Sequence, residues 1–130
     1  MKKLYCLMVL ALILALVLTG CFIPLPIEFA VRPVIASVYP SSFTGQCPKT
    51  FYFSAIISVN GPGTVTYRWE RSDGTYDPTP KSITFAEAGM KGISTSWMLG
   101  ISYSGWERVH ILTPNDNFSN KANFTLTCTQ

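Results

Sequence analysis

The chain has 130 residues, of which 48% are hydrophobic and 13% charged, and this length suits one ordinary domain rather than two. Without Lys2 and Lys3, which precede a long apolar run, the formal net charge falls from +3 to +1, so the remaining chain lacks the basic patch that recognises nucleic acid. Outside that run the apolar content is ordinary, which excludes a protein that crosses a membrane many times.

The first 20 residues have the pattern of a bacterial secretion signal. Lys2 and Lys3 form a basic start, and an apolar run over residues 4–18 follows. The run ends in the sequence LTGC at residues 18–21, which resembles the lipobox of bacterial lipoproteins. The resemblance implies that residues 1–20 are removed as a signal peptide and that the Cys21 thiol carries fatty acids such as palmitate. The protein is therefore expected to be anchored by lipid to a membrane of the cell envelope and to face its extracytoplasmic side.

Two other interpretations of this segment are an uncleaved membrane helix over residues 4–27 and a secretion signal without lipid. Pro24 and Pro26 interrupt the second half of such a helix, and the apolar run is short for a membrane span. Residues 21–33 are instead expected to form a proline-rich tether. At about 3.1 Å per residue, this tether reaches only about 35–40 Å, so the domain over residues 34–130 should lie close to the membrane.

From residue 34 onward, apolar and polar residues alternate in short runs that are separated by turn residues, and no helical period is present. The alternation predicts seven strands, over residues 34–39, 50–59, 64–71, 82–85, 92–99, 106–112 and 121–128. The third of these places Val65, Tyr67 and Trp69 on one face. Seven such runs are typical of a two-sheet β-sandwich, and the fold class is therefore expected to be all-β.

Cysteine usage predicts one disulfide in the exported part. Cys6 lies in the leader and Cys21 accepts the lipid, which leaves Cys47 and Cys128 in an oxidising compartment. A bridge between them would close a loop of about 80 residues and contribute at most about 4.5 kcal/mol by the chain-entropy estimate. A zinc site is the alternative, but two cysteines and one histidine do not complete its ligand set.

Several motifs resemble the immunoglobulin-like modules of exported bacterial proteins: GTVTYRW at 63–69, SGWE at 104–107, TPND at 113–116 and FTLTC at 124–128. The resemblance implies an immunoglobulin-like sandwich of about seven strands, with Trp69 as the core tryptophan of the third strand. The usual bridge between the second and sixth strands is missing, because Ala55 and Val109 take the inward positions. The same topology places Cys47 and Cys128 at one pole of the sandwich.

Residue types that support catalysis or metal binding are present without a suitable arrangement. His110 falls on the outward face of the sixth strand with Trp106 and Arg108. It is expected to be a solvated strand residue rather than a catalytic base, because no activated nucleophile accompanies it. The acidic residues Asp73, Asp77 and Asp116 are expected in loops at opposite poles, where turn chemistry explains them better than calcium. We therefore expect no enzyme activity, no cofactor and no metal.

Three aromatic residues are predicted at one pole, namely Tyr76, Tyr103 and Trp106. Exposed aromatics there would stack on sugar rings or anchor a protein partner. Alternatively, Tyr103 forms a tyrosine corner and Trp106 covers the edge of the sheet. The tether should enter the domain at the opposite pole, with residues 60–63 and 114–120, so that the aromatic pole faces away from the membrane.

These patterns together indicate a membrane-anchored, non-enzymatic binding or structural module of the bacterial envelope. Its partner would be an envelope protein or a glycan, and neither nucleic acid nor a small-molecule substrate is expected. The alternative is a small inhibitor or a chaperone-like accessory factor that captures an envelope protein along an edge strand.

Overall fold

The computed structural model describes residues 27–130, so the predictions for the signal peptide, for Cys21 and for the start of the tether lie outside the described residues. Within this part, none of the chain forms a helix long and apolar enough to span a bilayer. The strands are β1 (Ile35–Tyr39), β2 (Ser42–Gly45), β3 (Lys49–Val59), β4 (Gly63–Arg71), β5 (Lys81–Phe85), β6 (Gly89–Leu99), β7 (Tyr103–Thr113), β8 (Asn117–Phe118) and β9 (Ala122–Cys128).

The strands form two sheets. The smaller sheet has the order β1-β3-β6 and the larger one β2-β9-β7-β4-β5, with β8 beside β7. The pairings are antiparallel, except that β2 runs parallel to β9. The predicted all-β sandwich is therefore confirmed.

Each of the seven predicted runs corresponds to a strand, and the sequence analysis missed β2 and β8. Both are short and mostly polar, so they have no apolar alternation to reveal them. They are strands only because β9 and β7 provide free edges for pairing. Two strands begin three residues earlier than predicted, β6 at Gly89 and β7 at Tyr103.

The core lies between the sheets and follows the period of two. In β3, the alternate residues from Phe51 to Val59 are buried, whereas Tyr52 and Ile56 point outward. Trp69 is only 2% exposed, and its ring lies 6.4 Å from that of Phe53, so the inward face predicted for the third strand is confirmed. Phe124 of β9 joins the two sheets, because its ring packs against those of Phe51, Phe53 and Trp97 in the smaller sheet.

The two poles are held by different contacts. At one pole, which we call the outer pole, a disulfide joins Cys47 to Cys128 with their Cα atoms 5.6 Å apart, so the predicted pairing is present in the structure. At the other, the inner pole, the Asn60 side chain accepts a hydrogen bond from the Ala30 amide and donates one to the Glu28 carbonyl, each 2.8 Å long. The chain thus enters the domain beside residues 60–63, as predicted.

Candidate binding surface

Tyr76 and Trp106 line one shallow depression of about 360 Å³ at the outer end of the larger sheet. The structure thus brings together two of the three predicted aromatics. Tyr103 lies elsewhere: its ring packs 5.6 Å from that of Trp97, and its hydroxyl shares a hydrogen bond of 2.7 Å with Ser72 Oγ. Tyr103 therefore has the structural role that a tyrosine corner implies.

In the loop after β4, hydrogen bonds to Asp73 and Asp77 hold the backbone so that Tyr76 lies beside the sheet. Asp73 accepts hydrogen bonds from the amide and the hydroxyl of Thr75, at 2.9 and 2.6 Å, and Gly74 has a positive φ of 88°. The side-chain hydrogen bond from Thr75 lowers the pKa of Asp73 below its ordinary value, although slight burial opposes it. Asp77 then accepts a hydrogen bond of 2.9 Å from the Trp69 amide. Asp73 thus acts as a turn residue, as expected, whereas Asp77 ties the loop to β4.

A network of ions centred on Glu70 extends from the depression along the outward face of the larger sheet. Glu70 accepts hydrogen bonds from Arg68 Nη2 at 2.9 Å and from Arg108 Nε at 3.1 Å, and His110 Nδ1 lies 2.7 Å from it. Partial burial acts to raise the pKa of Glu70, but the hydrogen bonds from His110, Arg68 and Arg108 outweigh it and hold the pKa below its ordinary value. The ionised carboxylate therefore keeps two guanidinium groups in fixed positions.

The expectation that His110 is a solvated residue is wrong. The residue lies on the outward face, as predicted, but only 13% of its side chain is exposed because β8 folds back over β7. Phe118 of β8 stacks on its ring at 4.2 Å between centroids. The two ring nitrogens face carboxylates, Nδ1 that of Glu70 and Nε2 that of Asp116.

Arginines and aromatic rings alternate across the same surface. Arg68 lies over the Tyr76 ring at 4.0 Å, and Arg108 lies 4.1 Å from the Phe118 centroid and 5.2 Å from that of Trp106. Lys121 Nζ also lies over the Trp106 ring, 4.6 Å from its centroid. Such cation–π contacts hold the long side chains in place and leave their remaining donors available to an incoming carboxylate or carbonyl.

A buried ion pair lies behind the depression, and the sequence analysis missed it. Glu107 is fully buried, and Arg71 Nε donates a hydrogen bond of 2.6 Å to its Oε1. Burial raises the pKa of Glu107 above its ordinary value, although Arg71 opposes the shift. The signal was available, because the alternation of β7 places Glu107 on the inward face with Val109 and β4 places Arg71 with Trp69.

Comparison with known proteins supports the fold and no more. No model of a protein family matches the chain, and no curated protein matches it. Among solved structures, the CARDB domain of the PF1109 protein from Pyrococcus furiosus is similar, with a TM-score of 0.56 and 11% identity over 74% of this chain and 94% of that one. A β-glucosidase, EmGH1 from Erythrobacter marinus, has a TM-score of 0.57 and 7% identity over 77% of this chain and 15% of the enzyme. The chain therefore has an immunoglobulin-like sandwich fold.

The CARDB domain was solved in complex with di-metal ions. In residues 27–130 of this chain, no three His, Cys, Asp or Glu side chains come together in a way that could hold a metal ion. The side chains that converge here are arginines and aromatic residues around one carboxylate, which is an arrangement suited to non-covalent binding.

Proposed function

We propose that this protein is a non-enzymatic binding module of the bacterial envelope, anchored by lipid at Cys21, and that it captures another envelope protein through the depression between Tyr76 and Trp106. The LTGC motif at residues 18–21 supports the anchor. The arrangement of Arg68 and Arg108 with these two aromatics supports the binding site.

The depression is lined by the residue types that contribute most to binding at protein interfaces. Trp, Tyr and Arg are the types enriched among residues whose truncation weakens binding most. Here Glu70 and the aromatic rings already hold the arginines, so less side-chain freedom is lost when a partner binds. A protein loop with carboxylates and aromatic side chains fits this surface.

The position of the depression agrees with capture away from a membrane. Tyr76 and Trp106 lie toward the outer pole, whereas the chain enters at the inner pole beside Asn60. A tether of about a dozen residues would hold the inner pole near the lipid and leave the outer pole accessible.

Capture along an edge strand has less support. Arg71 Nη2 donates to the Ser96 carbonyl of edge strand β6 at 3.3 Å, and Lys91 Nζ of the same strand donates to the Thr84 carbonyl at 2.6 Å. Lysines and covering side chains of this kind protect an edge from pairing with another strand.

The test is a pull-down of the lipidated protein from chemically crosslinked envelopes. The double variant Tyr76→Ala with Trp106→Ala should lose the partner and keep its melting temperature within a few degrees. Ile101→Ala is the matched control, since Ile101 is an exposed apolar residue that does not line the depression. Undiminished capture by the double variant, or loss of capture through substitutions in residues 114–120 alone, would place the binding site elsewhere.

The anchor has its own test. Cys21→Ser should abolish incorporation of radiolabelled palmitate, because only the thiol accepts the diacylglyceryl group. Equal labelling of the variant and the natural protein would overturn the lipid assignment.

A further inference from the structure

The outward positions of β1, β3 and β6 in the smaller sheet carry no Asp, Glu, Lys, Arg or His, and Arg32, which precedes β1, lies at the edge of this face beside Ser58 and Met90. Its members are hydroxyl, apolar or glycine residues: Ile35, Ser37 and Tyr39 from β1; Thr50, Tyr52, Ser54, Ile56 and Ser58 from β3; Met90, Gly92, Ser94, Ser96 and Met98 from β6. Several large ones are strongly exposed, with Tyr39 at 78%, Ile35 at 71% and Met98 at 66%. A continuous exposed patch of this composition marks an interaction surface.

The register divides the face into matched rows. Ile35, Ile56 and Gly92 lie side by side in one row, as the pairings of β3 with its two neighbours show. In the same way, Ser37 and Ser54 align with Ser94, and Tyr39 and Tyr52 align with Ser96. In two of these three rows the end on β1 is large and the end on β6 is small, namely Ile35 with Gly92 and Tyr39 with Ser96, while the middle row has serine at both ends.

This gradient of size makes the face complementary to itself. If a second copy is placed face to face, with a two-fold axis along β3, the β1 of each copy lies over the β6 of the other. Ile35 then meets the partner copy's Gly92, and Tyr39 meets its Ser96. Along the axis, Tyr52, Ser54 and Ile56 each meet the same residue of the second copy. The serines of β6 border an open groove of about 480 Å³, which can receive the large tyrosine side chain of β1.

We propose that this face is the interface of a homodimer whose two-fold axis runs along β3. Along β1, β3 and β6 two such faces meet without like-charge repulsion, since the charge of Arg32 lies at their inner-pole edge. The outward face of the larger sheet would instead bring Arg68 and Arg108 against the same residues of the second copy. A second copy is therefore the occupant that this face fits best.

The area is close to that of a specific contact. An 11-residue strand such as β3 is about 36 Å long, and three strands about 4.8 Å apart are about 14 Å wide. Because β1 has only five residues, the flat face covers about 430 Å² in each copy, or about 860 Å² together, which is close to the lower limit of a biological interface of about 1,000 Å². Projecting tyrosines and methionines add to the accessible area.

An axis along the strands also keeps the two chain-entry ends together. Both copies would then enter their domains at the same pole, which suits two proteins anchored in one membrane. This last step alone rests on the proposed function, since the complementarity of the faces does not depend on a lipid anchor.

The first test is crosslinking of the full chain in its membrane. Ser54 lies at the axis, so Ser54→Cys should form a disulfide-linked dimer under mild oxidation. Ser82→Cys is the matched control, because Ser82 is an exposed serine on the outward face of the larger sheet, and it should remain monomeric. Equal crosslinking of the two variants, or none in either, would overturn the proposal.

The second test uses charge at the same position. Two differently tagged full-length copies are co-expressed, extracted in mild detergent and tested for co-purification. With Ser54→Lys in both copies, or Ser54→Asp in both, co-purification should fall about tenfold or more. Pairing one Ser54→Lys copy with one Ser54→Asp copy should restore it. Ser82→Lys in both copies should have no effect, which excludes shared micelles as the cause.

Thermal unfolding and the intact Cys47–Cys128 bridge establish that the Ser54 variants are folded. A natural protein that does not self-associate, or Ser54→Lys copies that still pair with one another, would contradict the dimer. The outcome is separate from that of the partner pull-down, because Tyr76 and Trp106 lie on the larger sheet and Ser54 on the smaller one. A monomeric Ser54→Lys variant that still captures the envelope partner would support both proposals independently.

Discussion

The two outward faces of this sandwich arise from the same strand alternation and have opposite chemistry. On the larger sheet, Glu70 joins Arg68, Arg108 and His110, and aromatic rings cover the arginines. On the smaller sheet, short hydroxyl side chains such as Ser37 and Ser54 bond only to each other, 3.0 Å apart, and the large side chains project freely. An ordered ionic surface suits a partner with complementary charges, whereas a neutral surface suits a copy of itself.

The two faces share one core, so the largest effect is expected from a substitution that breaks both. Trp69→Ala should lower the free energy of unfolding by about 3–5 kcal/mol, because Trp69 is almost fully buried between the sheets. Tyr76→Ala, at an exposed aromatic of the larger sheet, serves as the control and should change stability much less. A melting temperature unchanged in Trp69→Ala would contradict the inward assignment of β4.

Loss of the disulfide should be the next largest effect, and it should act on the outer pole of both sheets. Cys47→Ala with Cys128→Ala should cost about 2–5 kcal/mol of stability, since the bridge closes a long loop in a small domain. Mass spectrometry of unreduced peptides should find the two cysteines joined in the natural protein. Two free thiols in the purified protein would refute the pairing.

Glu70 on the outward face and Glu107 in the core should change the stability with pH in opposite directions. Because the pKa of Glu70 is lowered in the folded state, its contribution is present above the unfolded pKa of about 4.3 and is lost as the pH falls through the folded pKa. Glu70→Gln should reduce this loss in acid and cost about 1.5–3 kcal/mol at neutral pH, where the charged hydrogen bonds are broken.

Glu107 should behave in the opposite way. Its raised pKa means that the folded state holds a proton more tightly, so this contribution is full below about pH 4.3 and is lost as the pH rises through the folded pKa. Glu107→Gln should flatten the decline of stability with rising pH over that window. Urea unfolding of both variants at a series of pH values checks the pair of signs, and slopes of the same sign in the two would contradict the assignment.

The smallest effect should come from the exposed end of the ionic network. Asp116→Asn removes the carboxylate at His110 Nε2, but the Asp116 side chain is 73% exposed, so the change should cost no more than about 1 kcal/mol. His110→Gln, by contrast, also loses the stacking on Phe118 and should cost more. Equal losses in the two variants, measured by thermal unfolding, would show that Phe118 does not hold the histidine.

Much of the fold was predictable from local pattern. The period of two identified every strand of five residues or more, and the inward positions of Trp69 and Val109 followed from it. Cysteine arithmetic identified the partner of Cys47, because the leader and the lipid motif accounted for the other two cysteines. The strands β2 and β8 were not predictable, because their few polar residues acquire strand structure from a neighbouring edge.

The candidate site was predictable only in part, for a related reason. Alternation placed Arg68, Glu70, Arg108 and His110 on outward faces, but strands distant in sequence become neighbours only through the sheet register, in which Arg68 aligns with His110 and Glu70 with Arg108. The register also decided that Tyr103 packs inside while Tyr76 and Trp106 remain on the surface.

The sequence by itself thus determined the long strands, their inward and outward sides and the composition of the two faces, because these depend on spacing along the chain. The tertiary structure alone decided which outward residues meet: the ionic network around Glu70, the covered histidine and the aligned rows of the neutral face. Those contacts depend on pairings between residues tens of positions apart, such as Ser54 with Ser94 and Glu70 with Arg108. Such pairings are set by packing of the common core, which no local stretch of sequence contains.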